Sequence, residues 1–426
     1  MKKYQEGAAS LLFSGLILIA ALTLLLTSYK STFFQAKRVQ NEIEARQNQW
    51  AGEGAVECAF TKAQQDRSRP QFIQADYLKS DCQQPLALDG INVVSLGSKK
   101  YSLQPLDERS QPVVQKVMDF SSDRITGAIQ STGDLFMQAA TLVSPPDPGE
   151  ETEEGWECVT IRYKNAIELS GSLVNHGVQI NEKPYDGFED NGKNCIDLKE
   201  KGKNKRESGL LHDTELKPFE AMFEISKSEW MQVRDNPKYD FTIITGDKAV
   251  SGSAIPRVTD CGQKVKELIE LGNTHIWIDG SCEITGDNLS GMAQASQSTE
   301  GVLLMVHNGV FSLIGSGNFK GVLFQLNDGF QPTSDDWVGL EGNDYLSNNG
   351  YNNQVHQAFG DDYPDANTAA YFQRGSFNFT GGQFLDVDDQ LVMFHDSLKF
   401  SYNEDVIDAV LGSTPPRWVK GSWQDF

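Results

Sequence analysis

The sequence predicts an α+β protein. A long N-terminal α-helix, half of it transmembrane, is followed by a mixed region and then a C-terminal β-rich domain with a β-helix-like pattern. Three observations predict this. Residues Ala8 to Thr27 carry no charge, and about 20 apolar residues span a bilayer as a helix. No Pro occurs between Tyr29 and Lys62, and Gly appears there only at 52 and 54, so nothing ends that helix at the membrane. From 274 to 402, runs of four to seven apolar or β-branched residues alternate with Gly, Asn and Asp turns, the signature of stacked short strands.

The elements follow in order. Residues 1–7 are a short leader with two Lys, ending at Gly7. Residues 8–62 form the helix, apolar first and then amphipathic, with Phe33, Val39, Ile43, Trp50, Val56 and Phe60 among Gln, Glu, Arg and Ala. Residues 63–145 mix polar turns with the apolar runs "INVVSL" (91–96) and "VVQKVM" (113–118). Residues 146–260 form a β-rich region with polar loops. It begins within the Pro-rich, then acidic stretch "ATLVSPPDPGEETEEG" (140–155). Residues 261–426 are the β-helix-like domain, a sandwich being the structural alternative. "GQKVKELIELG" (262–272) has helical spacing at its start.

The net charge is -22, which opposes a general role on nucleic acid or anionic lipid. "KEKGKNKRESG" (199–209) is the one clear basic run, read as a solvated loop. The six cysteines form no Cys-x-x-Cys and no pairing with His at zinc spacing. An even count behind an export segment suggests disulfides. The spacing favours Cys58–Cys82, Cys158–Cys195 and Cys261–Cys282, although six cysteines allow about 15 connectivities.

The start, "KKYQEG" before "AASLLFSGLILIAALTLLL" and later "RQNQWAGEGAVECAF", resembles type IV pilin-like proteins. It is most similar to PilX-type minor pilins and the large tip pseudopilin of type II secretion. The resemblance covers about 60 residues of the 426. It implies cleavage after Gly7 by an inner-membrane prepilin peptidase and methylation of the new terminus, Ala8. Major pilins carry Glu at the fifth mature position, where it pairs with a neighbour's terminal amine in the filament core. Here that residue is Leu12, and no acid lies between Ala8 and Thr27. A buried charge is costly unless paired, so such a subunit is ill suited to repeat along a shaft and suits the tip.

The resemblance therefore implies a non-enzymatic minor pilin that initiates or caps a pilus and displays a large domain, in adhesion, motility or uptake. Its expected partners are other minor pilins, the major pilin and a PilY-type tip adhesin, with no specific nucleic acid. Its expected location is the inner membrane, bulk periplasmic, and then the pilus tip. The alternatives are a type II secretion pseudopilin and a membrane-anchored surface enzyme acting on glycan.

Chemical motifs are sparse. None of the six histidines lies in a metalloprotease or nucleophile motif. "GSGNFKG" (315–321) lacks the Gly-Lys-Ser/Thr of a phosphate loop and reads as a turn between strands. Asp386, Asp388 and Asp389 in "LDVDDQ" place carboxylates for calcium or a glycosidic bond, a solvated strand edge being the plainer reading. Asp186, Glu189 and Asp190 in "YDGFEDNGKN" offer hard oxygens on a Gly-bent loop, as Ca²⁺ prefers, without the spacing of a known calcium loop. No cofactor is expected otherwise. "NDYLSNNGYNNQVHQAFGDDYPDAN" (343–367) reads as a long polar loop whose aromatics suit recognition.

Overall fold

The computed structural model describes residues 5–66, 76–96, 99–120, 127–196, 209–412 and 416–425. All but Gly209 of the basic run 199–209 lies outside them. The chain divides into two units, 1–96 with 100–119 and 416–426, and 97–99 with 120–415. The boundaries at 145/146 and 260/261 are not unit boundaries. The second unit takes up strands from 129 onward, and the segment after 415 belongs to the first unit. Its strands pair with residues hundreds of positions away, which no local composition change marks.

In the first unit, helix α1 spans Gln5–Asp66 without interruption, roughly 93 Å at 1.5 Å per residue. An antiparallel sheet packs on its far half. Strands β1 (Gly90–Ser95), β2 (Lys100–Leu106) and β3 (Val114–Asp119) run in sequence. The close approach is made by small residues on α1: Gly52, Ala55, Ala59 and Ala63 are buried. A Cβ added at Gly52 would sit 3.2 Å from Val114 Cγ2. The Cys58–Cys82 disulfide ties the helix to the segment before β1.

The second unit is a parallel β-solenoid with three faces. Its strands are β4 (Ile129–Ser131), β5 (Asp134–Val143), β6 (Ile161–Tyr163), β7 (Ile167–Leu169), β8 (Ser172–Asn175) and β9 (Leu210–His212). After the short helices α2 (Pro218–Phe223) and α3 (Met231–Arg234) comes β10 (Thr242–Thr245). Then follow α4 (Cys261–Glu270), β11 (His275–Asp279), β12 (Cys282–Thr285), α5 (Gly286–Ser296), β13 (Val302–His307), β14 (Phe311–Ile314) and β15 (Gly317–Leu326). An insertion carries α6 (Ser334–Trp337), α7 (Glu341–Leu346) and α8 (Asn349–Phe359). Strands β16 (Tyr371–Asp386) and β17 (Leu391–Tyr402) and helix α9 (Glu404–Leu411) complete it.

One face runs β10, β11, β13, the end of β15, the end of β16, β4, β6, β9. A second runs β12, β14, then the first parts of β16, β17 and β5, then β7. The third joins the start of β15, the middle of β16, the ends of β17 and β5, and β8. Glycine marks the corners, because parallel register stacks one corner on the next. A Cβ at Gly375 (φ +119°) would lie 1.9 Å from the Gly315 carbonyl oxygen. At Gly381 (φ +130°) it would lie 2.1 Å from that of Gly321.

The coils are not stacked in chain order. The stretch 129–212 forms one end of the solenoid, and 242–402 winds from the opposite end until β17 pairs with β5 over ten positions, Leu391 opposite Asp134 through Phe400 opposite Val143. The segment 213–241 joins β9 at one end to β10 at the other. Its Phe219 and Phe223 pack on Phe324 of β15 at centroid distances of 6.0 and 6.2 Å. Inside, Phe319 meets Phe379 edge to face at 5.8 Å, and Phe379 stacks on Phe400 at 5.6 Å. The insertion covers the second face through a separate core in which Trp337, Leu346 and Val355 meet Phe136, Phe372 and Met393.

The polar loop expected at 343–367 is therefore helical over most of its length. Its many Asn disfavour helix intrinsically, but Leu346 and Val355 are fully buried, and tertiary packing decides. The Asn348 side chain caps α8 by accepting from Gly350 N. The corner 315–316 with the start of β15 bears out the turn between strands.

Candidate functional site

Helix α1 has two apolar faces in its second half, where the sequence suggests one. At 3.6 residues per turn, buried Gly52, Ala55, Val56, Ala59 and Ala63 share one side. Val39, Ile43 and Trp50 project roughly 170° away from it. These three are 54%, 52% and 67% exposed. Upstream, Ser10–Gln65 includes the one stretch among the described residues long and apolar enough to cross a membrane. Gly7 and Ala8 lie inside the continuous helix. Leu12 is 69% exposed, and the helix presents no acid from Ala8 to Thr27.

All six cysteines are paired, as Cys58–Cys82, Cys158–Cys195 and Cys261–Cys282, with Cα separations of 5.5, 5.4 and 5.6 Å. The last pair joins α4 to β12 near one end of the solenoid. The middle pair closes a small core of Trp156, Val178, Tyr185 and Phe188.

The carboxylates in "LDVDDQ" do converge, but on lysines. Asp386 Oδ1 lies 3.2 Å from Lys227 Nζ, and its Oδ2 accepts from Phe219 N at 3.1 Å. Asp388 accepts from Lys164 Nζ at 2.9 Å and pairs with Lys227 on its other oxygen. Burial pushes the Asp386 carboxyl up, with Lys227 and the Phe219 N–H opposing. Burial also acts to raise Asp388, yet hydrogen bonds from Lys227 and Lys164 outweigh it and hold it below the ordinary range. Burial disfavours the Lys227 charge, but the two carboxylates prevail and keep it high. Asp386 is 2% exposed, so it faces no groove. The cluster gathers β16, the segment after β6 and the 213–241 crossover at the joint of the two half-solenoids, where its chemistry is that of a clamp. Asp389, in left-handed backbone at φ 57°, accepts instead from Asn165 Nδ2.

The calcium candidates do not assemble. Asp190 Oδ1 accepts from Gly192 N, closing a turn, and the Asp190 carbonyl accepts from Trp156 Nε1. Asp186 N donates to Asp405. Among the described residues no group of three or more His, Cys, Asp or Glu is placed to hold a metal.

Two further polar clusters carry no sequence signal. Asp279 Oδ1 accepts from Trp277 Nε1 and lies 2.8 Å from His307 Nδ1. Trp230 covers that imidazole at 3.9 Å. Under α8, His395 sits against Tyr351 at 4.2 Å with Arg374 nearby. Both depend on strand register, which spacing in sequence does not reveal. In comparisons of the chain with protein-family models, with curated proteins and with solved structures, nothing matches.

Proposed function

We propose that this chain is a minor pilin of the PilX type, inserted in the inner membrane through α1 and then built into the tip of a type IV pilus. The observation that carries the reading is the two-faced helix. One apolar stripe is used inside the molecule, and Val39, Ile43 and Trp50 form a second with no partner among the described residues. A membrane anchor alone has no use for an apolar stripe beyond the bilayer, whereas a filament subunit buries it against other helices. Leu12 supports the tip. A subunit without a carboxylate there leaves a neighbour's buried amine unneutralised, so it suits one terminal place rather than a repeat. The solenoid is then the displayed domain, acting by binding rather than catalysis, with other minor pilins, the major pilin and a tip adhesin as partners.

The test combines processing and position. The mature chain should begin at Ala8 by intact mass, and gold bound to the solenoid should mark filament ends, on the order of one copy per filament. Ile43→Glu with Trp50→Glu should abolish incorporation while the head, the β1–β3 sheet with the half of α1 it packs on, stays folded. Retention of Met1 in the mature protein, or label spread evenly along the shaft, refutes the reading.

A further inference from the structure

Strand β3 is completed from far downstream. Its inner edge pairs with β2, and among the described residues its outer edge is filled by 416–425 alone. Strand β18 (Arg417–Trp418) pairs with Asp119 and Met118, and β19 (Gln424–Asp425) pairs with Gln115 and Val114. Between them Val419 N donates to the Val117 carbonyl at 3.0 Å, and Val117 N donates to Ser422 Oγ at 3.0 Å. The side chains bind α1 as well as the sheet. Trp418 stacks on Phe60 at 4.6 Å with 19° between planes. Lys116 lies 3.9 Å over Trp418 and 5.5 Å from Trp423, and pairs with Glu57 of α1 at 3.0 Å. All of the second unit except residues 97–99 lies in the chain between β3 and this segment.

We propose that 416–425 is a latch that makes the head competent for assembly only after the entire insert has been made and exported. Without it, β3 is a bare edge whose amides have no outer partner, and an unpaired edge is unstable and open to wrong pairing. The face of α1 carrying Phe60 loses its aromatic cover at the same time. The polypeptide between latch and sheet is the solenoid itself, so a chain arrested or clipped anywhere within it presents an α1 whose head is unfinished. The assembly part of this inference rests on the proposed pilin role; the folding part does not.

The test uses the full chain in detergent, a chain ending after Pro415, and the full-length variant Trp418→Ala. A synthetic peptide of residues 416–426 serves as the probe in trans. Hydrogen exchange should show β3 amides opening at least tenfold faster in the shortened chain, and faster also in Trp418→Ala. Strands β13, β15 and β16 should stay unchanged. The peptide should restore β3 protection saturably, and its Trp418→Ala form should not. Recovery of the chain in sheared filaments should fall with β3 protection. Protection of β3 retained without 416–425 overturns the latch. Lost protection with undiminished recovery in filaments overturns the coupling to assembly. Absence of even the full chain from filaments overturns the pilin reading, while the exchange experiment still decides the latch.

Discussion

Replacing His395 with Leu tests what holds the insertion on the second solenoid face. His395 is 3% exposed, with the Tyr351 ring at 4.2 Å and Phe372 and Phe136 at 5.9 and 6.2 Å. Burial, reinforced by the Arg374 charge, pushes its pKa from 6.5 down to about 4. Between those values the unfolded chain takes up a proton that the folded chain refuses. The stabilisation from the neutral ring is therefore complete above pH 6.5 and is lost as pH falls toward 4. At about 1.36 kcal/mol per pH unit, the full loss is roughly 3 kcal/mol, and about 2 kcal/mol of it has gone by pH 5. The wild-type curve alone hides this, because Asp147 works in the opposite sense. Its buried carboxyl is pushed up to about 6, so the folded state gains stability as pH falls through that value. The measurement is thus the difference between wild type and His395→Leu, from urea midpoints of the full chain in detergent at pH 8, 6 and 5. We expect the wild-type advantage to shrink by about 2 kcal/mol from pH 8 to 5. A difference that does not move with pH would show that His395 is not held neutral by its surroundings, and the account of the covered face would fail.

Three other outcomes follow from the same structure. Asp147→Asn should raise stability at pH 8 by on the order of 1 kcal/mol, since it removes a buried charge but keeps one acceptor for the Gly127 and Gly149 N–H groups. Urea titration should show that gain gone by pH 5, and a gain that persists there would contradict it. Lys227→Met should cost about 2–3 kcal/mol at pH 7 by leaving buried Asp386 without its lysine and Asp388 with Lys164 alone. Adding Asp386→Asn should recover part of the loss, and strict additivity in that double-mutant cycle would deny the clamp. Non-reducing peptide maps should return the three cysteine pairs with no alkylatable thiol. Removal of any one bridge should lower stability by about 3–4 kcal/mol for loops of this size.

What could be read from the sequence was what depends on near neighbours. The helix declares itself through an uncharged run and the lack of Pro, and the cysteine pairs through separations of 24, 37 and 21 residues. Strands such as β13, "VLLMVH", declare themselves by composition. The order of the coils was not legible. That β17, paired on one side with β16, takes the distant β5 as its other neighbour is settled by side chains meeting across the joint, among them Phe400 opposite Val143. The same holds for Lys227, which gives no hint in its own neighbourhood that Asp386 and Asp388 await it. Trp50 and Val56 looked like one stripe because both are apolar, but six positions on a helix place them on different sides.

The split winding bears on how the two ends of such a domain are protected. A parallel solenoid ends in open strand edges at both poles, and an open edge invites a second copy to continue the stack. Here the terminal strands of the first face are β9 and β10, three and four residues long, against ten to sixteen in β5, β15, β16 and β17. A short edge offers few hydrogen bonds to an intruding chain. Both faces with apolar outer surfaces are covered, the first by Phe219 and Phe223 of the crossover and the second by the insertion around Trp337. The third face carries Ser376, Asn378, Ser397 and Lys399 on its outer side, and that polar row requires no cover. The crossover thus has two physical tasks. It returns the chain from one pole to the other, and it covers Phe324 on the outer side of the first face. A net charge of -22 adds repulsion between copies. A domain built in this way resists end-to-end stacking through its edges and charge.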